Sequence, residues 1–245
     1  MPNWVYNDLT VEGNPTMVSL LKDKMNSSFT IPVETHGVGD LTYNIKQVTY
    51  SNPVFAFHNI YNFRDAGITD EEYATQPARS ELSPNDKGWW ADTNRLRIQD
   101  KSWYSWNITN WGTKWDVAVS DDEKWPDTEL IYDDANGENQ VLVYKFQTAW
   151  GIADEALIRL SKQFPTLLFT LKYEEETGWG GEREYLRGRC ISSSEYGWCC
   201  RECGHEEDET PYCEDCDFDM CPSCGYGEPN DEDRDTCDIH HKVEA

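Results

Sequence analysis

The sequence predicts an α+β fold: an antiparallel sheet with helices on one face, followed by a small cysteine-rich domain of separate composition. Three observations carry this. Stretches of period-two and of 3.6-period hydrophobicity succeed one another along residues 1–190. Eight of the nine cysteines lie between 199 and 237. Residues 191–245 hold 17 acids and 3 bases, a net of −14, against −11 for the first 190. The domains are therefore drawn at 1–190 and 191–245.

Trp4 to Val11 alternates polar and apolar residues and reads as a strand. Asn14-Pro15 supplies an N-cap and a proline at the first helical position, and Met17, Leu20, Leu21 and Met25 recur at helical spacing. Residues 27–100 give no topology, because short apolar pieces such as Val54-Phe55-Ala56-Phe57 alternate with turn-prone stretches such as Ser83-Pro84-Asn85-Asp86. Gln140 to Gln147 reads as a strand with Leu142, Tyr144 and Phe146 on one face. Ile152 to Phe164 reads as a helix with Leu157, Leu160 and Phe164 on one face, a Glu155/Arg159 pair at i,i+4 and Pro165 as its stop. Leu167, Phe169, Leu171 and Tyr173 alternate as another strand. After the turn Gly178-Trp179-Gly180-Gly181, residues Glu182 to Cys190 return as its hairpin partner. Strand, helix, strand, strand in that order suits a ferredoxin-like sheet.

Trp103, Trp106, Trp111 and Trp115 fall within thirteen residues. Such rings either form a stacking platform for bases or fill a core with their indole N–H groups partnered, and the charge favours the core. The 21 basic and 46 acidic residues give a net charge of −25, which repels a phosphate backbone and suits a basic protein partner. No stretch of eighteen apolar residues and no basic-then-apolar leader is present, so neither a membrane span nor a secretory signal is expected, and the expected location is cytoplasmic.

The opening Met-Pro-Asn-Trp-Val-Tyr-Asn, the block Trp106-Asn107-Ile108-Thr109-Asn110-Trp111-Gly112-Thr113-Lys114-Trp115-Asp116, and Phe146-Gln147-Thr148-Ala149-Trp150 leading to a helix that stops at Phe164-Pro165 together resemble the YubB-type ferredoxin-like proteins of conjugative plasmids and phages. The resemblance spans most of residues 1–190. It implies a mobile-element protein, placed in the host bacterial cytoplasm, with a ferredoxin-like domain. It brings no catalytic residues.

In a chain of this expected location, crowded cysteines point to metal rather than disulfides. The pairs Cys200-x-x-Cys203, Cys213-x-x-Cys216 and Cys221-x-x-Cys224, with Cys237-x-x-His240, supply eight ligands, enough for two tetrahedral zinc ions. The histidine and regular knuckles favour zinc over iron–sulfur ligation. Four protein ligands per ion leave no position open for water, so the zinc is structural. Cys199 and His241 adjoin these ligands as alternatives, and Cys190, outside the cluster, reads as a buried small hydrophobe.

The run Tyr212-Cys213-Glu214-Asp215-Cys216-Asp217-Phe218-Asp219-Met220-Cys221-Pro222-Ser223-Cys224 resembles the ZZ-type zinc finger. The resemblance covers about 200–243 and implies a cross-brace. Cys200, Cys203, Cys221 and Cys224 would hold one zinc, and Cys213, Cys216, Cys237 and His240 the other. Cys237 stands where that family usually has His, and the spacers are shorter. The resemblance also implies that Asp217 and Asp219, with Glu214 and Asp215 close by, grip a basic or free N-terminal peptide through charge-assisted hydrogen bonds.

The expected function is that of a non-enzymatic acidic phage or plasmid accessory protein that binds a basic host protein, such as a nucleic-acid-handling or defence enzyme it would inhibit. One alternative is single-stranded nucleic-acid binding through sheet aromatics, with Arg183, Arg187 and Arg189 on one strand face as a local basic patch. Another is an enzyme of unrecognised type. A P-loop, a Gly-x-Ser-x-Gly elbow, a dinucleotide fingerprint and a His-Glu-x-x-His helix are all missing from the sequence.

Overall fold

A computed structural model describes residues 3–36, 43–76, 81, 87–119 and 128–199, with the backbone of 206–207, 212–213 and 218–219. Strand β1 (Trp4–Gly13) leads into helix α1 (Pro15–Met25), whose start is set as expected: the Asn14 side chain accepts from the Thr16 N–H at 3.0 Å and Pro15 sits in the first turn. The buried stripe of α1 is Val18, Leu21 and Met25, whereas Leu20, expected inside, is 52% exposed. Residues 27–119 form an insertion. It begins with a hairpin of β2 (Phe29–His36) and β3 (Tyr43–Tyr50), passes a 3₁₀ turn at Phe57–Asn59, and continues through α2 (Asp70–Ala74), α3 (Trp89–Gln99) and α4 (Trp103–Trp111). Helix α2 is short and needs its capping box, in which Thr69 and Glu72 exchange side-chain and backbone bonds.

Strands β4 (Glu129–Asn136) and β5 (Asn139–Ala149) then form a hairpin, α5 (Asp154–Gln163) follows, and β6 (Leu168–Glu175), β7 (Gly180–Leu186) and β8 (Arg189–Tyr196) complete the sheet. The six-stranded antiparallel order is β4-β5-β1-β6-β7-β8. Within it, β1-α1-β4-β5-α5-β6 places the first strand between β5 and β6, which is the ferredoxin-like arrangement. β7 and β8 extend the sheet at one edge.

One face carries the core. Val5, Leu9 and Val11 of β1, Leu142, Tyr144 and Phe146 of β5, and Phe169, Leu171 and Tyr173 of β6 pack with Leu21 of α1, Leu157 and Leu160 of α5, and Phe55, Phe57, Trp106 and Trp111 of the insertion. Each such side chain, wholly buried, contributes roughly 1.5–3 kcal/mol. The strand faces expected for β5 and β6 and the apolar face of α5 are as the sequence predicts.

Three expectations are corrected. Glu182 to Cys190 is not one strand, since Arg187 (φ 54°) and Gly188 (φ 76°) turn the chain between β7 and β8. Arg159 does not appear among the ion pairs of the described residues. It donates to Asn110 Oδ1 at 3.1 Å and lies 4.4 Å over the Tyr61 ring. Cys190 is exposed on β8, its thiol donating to the Ser192 carbonyl, on an edge strand whose residues 189–195 are all exposed. β8 also runs through the 190/191 boundary drawn from composition. Among the described residues, no helix is long and apolar enough to cross a membrane.

Candidate functional site: an aromatic pocket beside an acidic sheet face

The Trp-rich block is a helix followed by an extended turn. Helix α4 ends at Gly112, whose φ of 87° is the left-handed conformation and whose amide caps the Ile108 carbonyl. A side chain would not fit there: a Cβ would stand 2.9 Å from the Ile152 carbonyl oxygen. Thr113 next bonds the end of β5, its hydroxyl accepting from the Ala149 N–H at 3.2 Å. Trp111 is buried and donates its indole N–H to the Tyr61 carbonyl at 2.9 Å, and Trp106 packs edge-on against it at 5.3 Å. These two rings fill core, as the charge argument favours. Trp103 is half-buried and packs against that core, whereas Trp115 is 38% exposed.

Asp116 ties this segment to the insertion. Its carboxylate accepts from the backbone N–H groups of Phe57 (2.7 Å), His58 (2.8 Å), Val117 (2.7 Å) and Ala118 (3.3 Å). Burial raises its pKa, and those four bonds oppose the rise. His58, anchored through its amide, stacks on Phe29 at 4.2 Å and is only 5% exposed. Burial, reinforced by Arg64 and opposed by Asp65, lowers its pKa to about 4. Among the described residues its Nδ1 has no hydrogen-bond partner. Tyr73 donates to Asn107 Oδ1 at 2.9 Å, and Asn107 in turn donates to the Lys114 carbonyl.

Between the β2–β3 hairpin, α4, residues 115–119 and the adjoining ends of β1 and β5 lies a cavity of about 630 Å³. Trp4, Phe29, Tyr73, Trp103, Trp111 and Trp115 supply aromatic wall, and Glu34, Gln76, Asn107 and Gln147 supply polar groups. Glu34 accepts from Gln76 Nε2 at 2.7 Å. Outside the pocket, Trp115 continues into a row with Trp4 (5.8 Å) and Trp150 (6.4 Å). The Lys114 ammonium lies 4.2 Å from the Trp115 ring centroid and 4.8 Å from that of Trp150. Trp150 holds a φ of 66°, a strained conformation for a bulky residue, while 48% exposed.

Among the described residues, no helix covers the face of the sheet opposite the core. Alternation puts Tyr6, Asp8 and Glu12 of β1, Lys145 of β5, Lys172 and Glu174 of β6, and Glu182 and Glu184 of β7 on it. Five carboxylates thus face two lysines, and both lysines are paired: Lys145 with Asp8 at 3.7 Å and Lys172 with Glu182 at 3.2 Å.

The basic patch considered for nucleic acid does not assemble. Arg187 lies in the turn and Arg189 on β8, while Arg183 is ion-paired to Asp154 (3.1 Å) and to Glu195.

Of the predicted zinc ligands, Cys200, Cys203, Cys216, Cys221, Cys224, Cys237 and His240 lie outside the described residues, as do the partner-binding candidates Glu214, Asp215 and Asp217. The backbones of Cys213 and Asp219 are described: Tyr212–Cys213 (β11) pairs antiparallel with Phe218–Asp219 (β12), and Trp198–Cys199 (β9) with Glu206–Glu207 (β10). In sequence, the Cys200-x-x-Cys203 pair falls wholly between the strands of one hairpin, and Cys213-x-x-Cys216 starts on a strand of the other. Among the described residues, no three His, Cys, Asp or Glu side chains converge on a metal position.

Residues 114–217 match the family model described as the ferredoxin-like domain in Api92-like protein. The match begins at Lys114, takes in β4 to β8, and in sequence reaches past Cys200, Cys203, Cys213 and Cys216. A crystal structure of the protein api92 from Yersinia pseudotuberculosis is similar at 11% identity, with a TM-score of 0.39, over 80% of this chain and 99% of that one. None of the curated proteins matches the chain.

Asp116, Lys114, Glu34 and Trp150 were not singled out by the sequence. Lys114 and Asp116 stood inside the Trp block, where aromatic density was the only signal. Trp150 is marked only by its backbone conformation.

Proposed function

We propose that the protein is a non-enzymatic accessory protein, of the phage or plasmid kind that the YubB-type resemblance implies, that binds a basic protein partner. The observation that carries this reading is the uncovered sheet face, where Asp8, Glu12, Glu174, Glu182 and Glu184 outnumber two already paired lysines. A phosphate backbone would meet net repulsion there, whereas a basic surface would be steered to it. His58, walled in and with no partner at Nδ1, is poorly placed for acid–base work, which supports binding over catalysis. Zinc in the C-terminal segment is part of the proposal, supported by the two short hairpins flanking Cys-x-x-Cys pairs; its role there is to staple a rigid acidic unit.

The test is calorimetric titration of the full chain with a lysine- and arginine-rich peptide and with single-stranded oligonucleotide of equal length. The peptide binds, its affinity falls steeply with added salt, and the Glu182→Lys/Glu184→Lys double variant weakens it. Oligonucleotide binding tighter than peptide binding would reverse the assignment.

A further inference from the structure

We propose that the aromatic cavity is a receptor for a single cationic side chain, arginine or lysine, presented by the basic partner. Three observations converge. The first is the chemistry of the wall: seven indole, phenyl and phenol rings, Tyr50 among them, line a cavity of about 630 Å³, and the faces of such π systems attract cations. The second is charge. Glu34 and Asp116 are carboxylate residues of the lining, and among the described residues that line it there is no lysine, arginine or histidine. Asp116 is spent on the backbone amides of residues 57, 58, 117 and 118, so Glu34 is the anion left to meet an incoming cation. Its bond from Gln76 leaves carboxylate lone pairs open.

The third observation is an internal precedent. On the outer side of the same Trp row, the Lys114 ammonium already rests on Trp115 and Trp150, with Tyr104 at 5.7 Å and Trp103 at 5.9 Å. Among the described residues no carboxylate pairs with it. In a chain of net charge −25, a lysine held by rings alone shows that this cluster solvates a cation. Trp150 keeps its place in the row at the cost of a left-handed backbone. An anionic ligand is disfavoured by Glu34, and a purely apolar one would leave Glu34, Gln76 and Gln147 without exchange for their hydration.

This inference rests on the basic-partner reading, and two probes separate their fates. The first probe is Nα-acetyl-arginine methylamide, followed through the indole N–H resonances of ¹⁵N-tryptophan-labelled full chain. Saturable shifts at Trp103 and Trp115 are expected, with acetyl-norleucine methylamide, the neutral analogue, giving none. The second is the lysine- and arginine-rich peptide, titrated into Trp115→Leu and Glu34→Gln. Each variant weakens it about tenfold, the scale of one cation–π or one charge-assisted contact. Glu34→Gln sits on a half-buried hairpin position and keeps a polar side chain, so it controls for loss of fold in Trp115→Leu. Unchanged peptide affinity in both variants, with silent indoles, overturns the pocket and leaves the acidic face as the binding surface. Indole shifts with the arginine probe but no peptide binding overturn the partner reading alone. Equal shifts with the neutral analogue overturn the cationic assignment.

Discussion

Replacing His58 with phenylalanine should flatten part of the acid sensitivity of the fold. His58 is 5% exposed and its pKa is lowered from 6.5 to about 4, mainly by burial, with Arg64 adding to the effect and Asp65 opposing it. The folded state therefore resists a proton that the unfolded chain accepts. Between pH 6.5 and pH 4 the unfolded state binds more protons, so stability is intact above pH 6.5 and drains away as the pH falls through that window. The lowering corresponds to about 3 kcal/mol in full, of which about 2 kcal/mol has gone by pH 5. Phenylalanine preserves the stack on Phe29 and the packing near Phe63, removes the titration, and removes the unpartnered Nδ1. Asp116, whose pKa is raised by burial, works in the opposite sense, because as the pH falls the folded state takes up its proton before the unfolded chain does. It is present in both proteins and largely cancels in the comparison. The assay is urea unfolding of wild type and His58→Phe at pH 7 and pH 5, extrapolated linearly to water. Wild type should lose about 2 kcal/mol more than the variant. Parallel losses would refute the claim that this imidazole is held neutral by its surroundings.

Gly112→Ala should destabilise by more than about 1 kcal/mol, since alanine pays for the left-handed φ of 87° and its Cβ presses on the Ile152 carbonyl. A thermal midpoint equal to wild type would show that the α4 terminus tolerates relaxation there. Chelation of the full chain should release two zinc ions in native mass spectrometry and strip hydrogen-exchange protection from residues 200–241, with the sheet's protection unchanged. Zinc-free purified protein with the same protection in that segment would sink the zinc proposal.

The sheet was legible because its strands are buried on one side only. Phe169, Leu171 and Tyr173 alternate with Thr170, Lys172 and Glu174, and Leu142, Tyr144 and Phe146 alternate with Val141, Val143 and Lys145, β-formers or polar residues that suit the outer face. The insertion was not legible for the opposite reason. Phe55, Phe57 and Phe63 reach the core from turns, and α2 spans five residues, so no periodicity builds up. The break between β7 and β8 was missed because Arg187 adopts a positive φ that arginine does not advertise; only the following Gly188 hints at a turn. At the candidate site, the Trp block announced itself, but which rings were core and which were wall depended on α4 ending at Gly112. That helix puts Trp106 and Trp111 inward, and the turn after it delivers Trp115 to the surface.

The division of labour between sheet and insertion bears on what the pocket can recognise. One wall consists of Trp4, Gln147 and Ala149, held by the β1–β5 ladder, in which Trp4 pairs with Ala149. The other comes from the hairpin and α4: the Thr113–Ala149 bonds join this part to the sheet, and the Asp116 carboxylate and the Tyr73–Asn107–Lys114 relay hold it together internally. The strand pairing of the split β-α-β unit is independent of these bonds, since β1, β5 and β6 pair directly, but the core over it is shared: Phe55, Phe57, Trp106 and Trp111 pack there beside α1 and α5. Changes in the hairpin would alter the pocket wall that carries Glu34 while leaving the β1–β5 and β1–β6 pairing in place. Changes at Asp116 would detach the wall as a unit, because four backbone amides would lose their acceptor at once. The proposed site is thus built on a segment that also completes the core through Phe55, Phe57, Trp106 and Trp111, with Asp116 fixing residues 57 and 58 to the turn that carries Trp115.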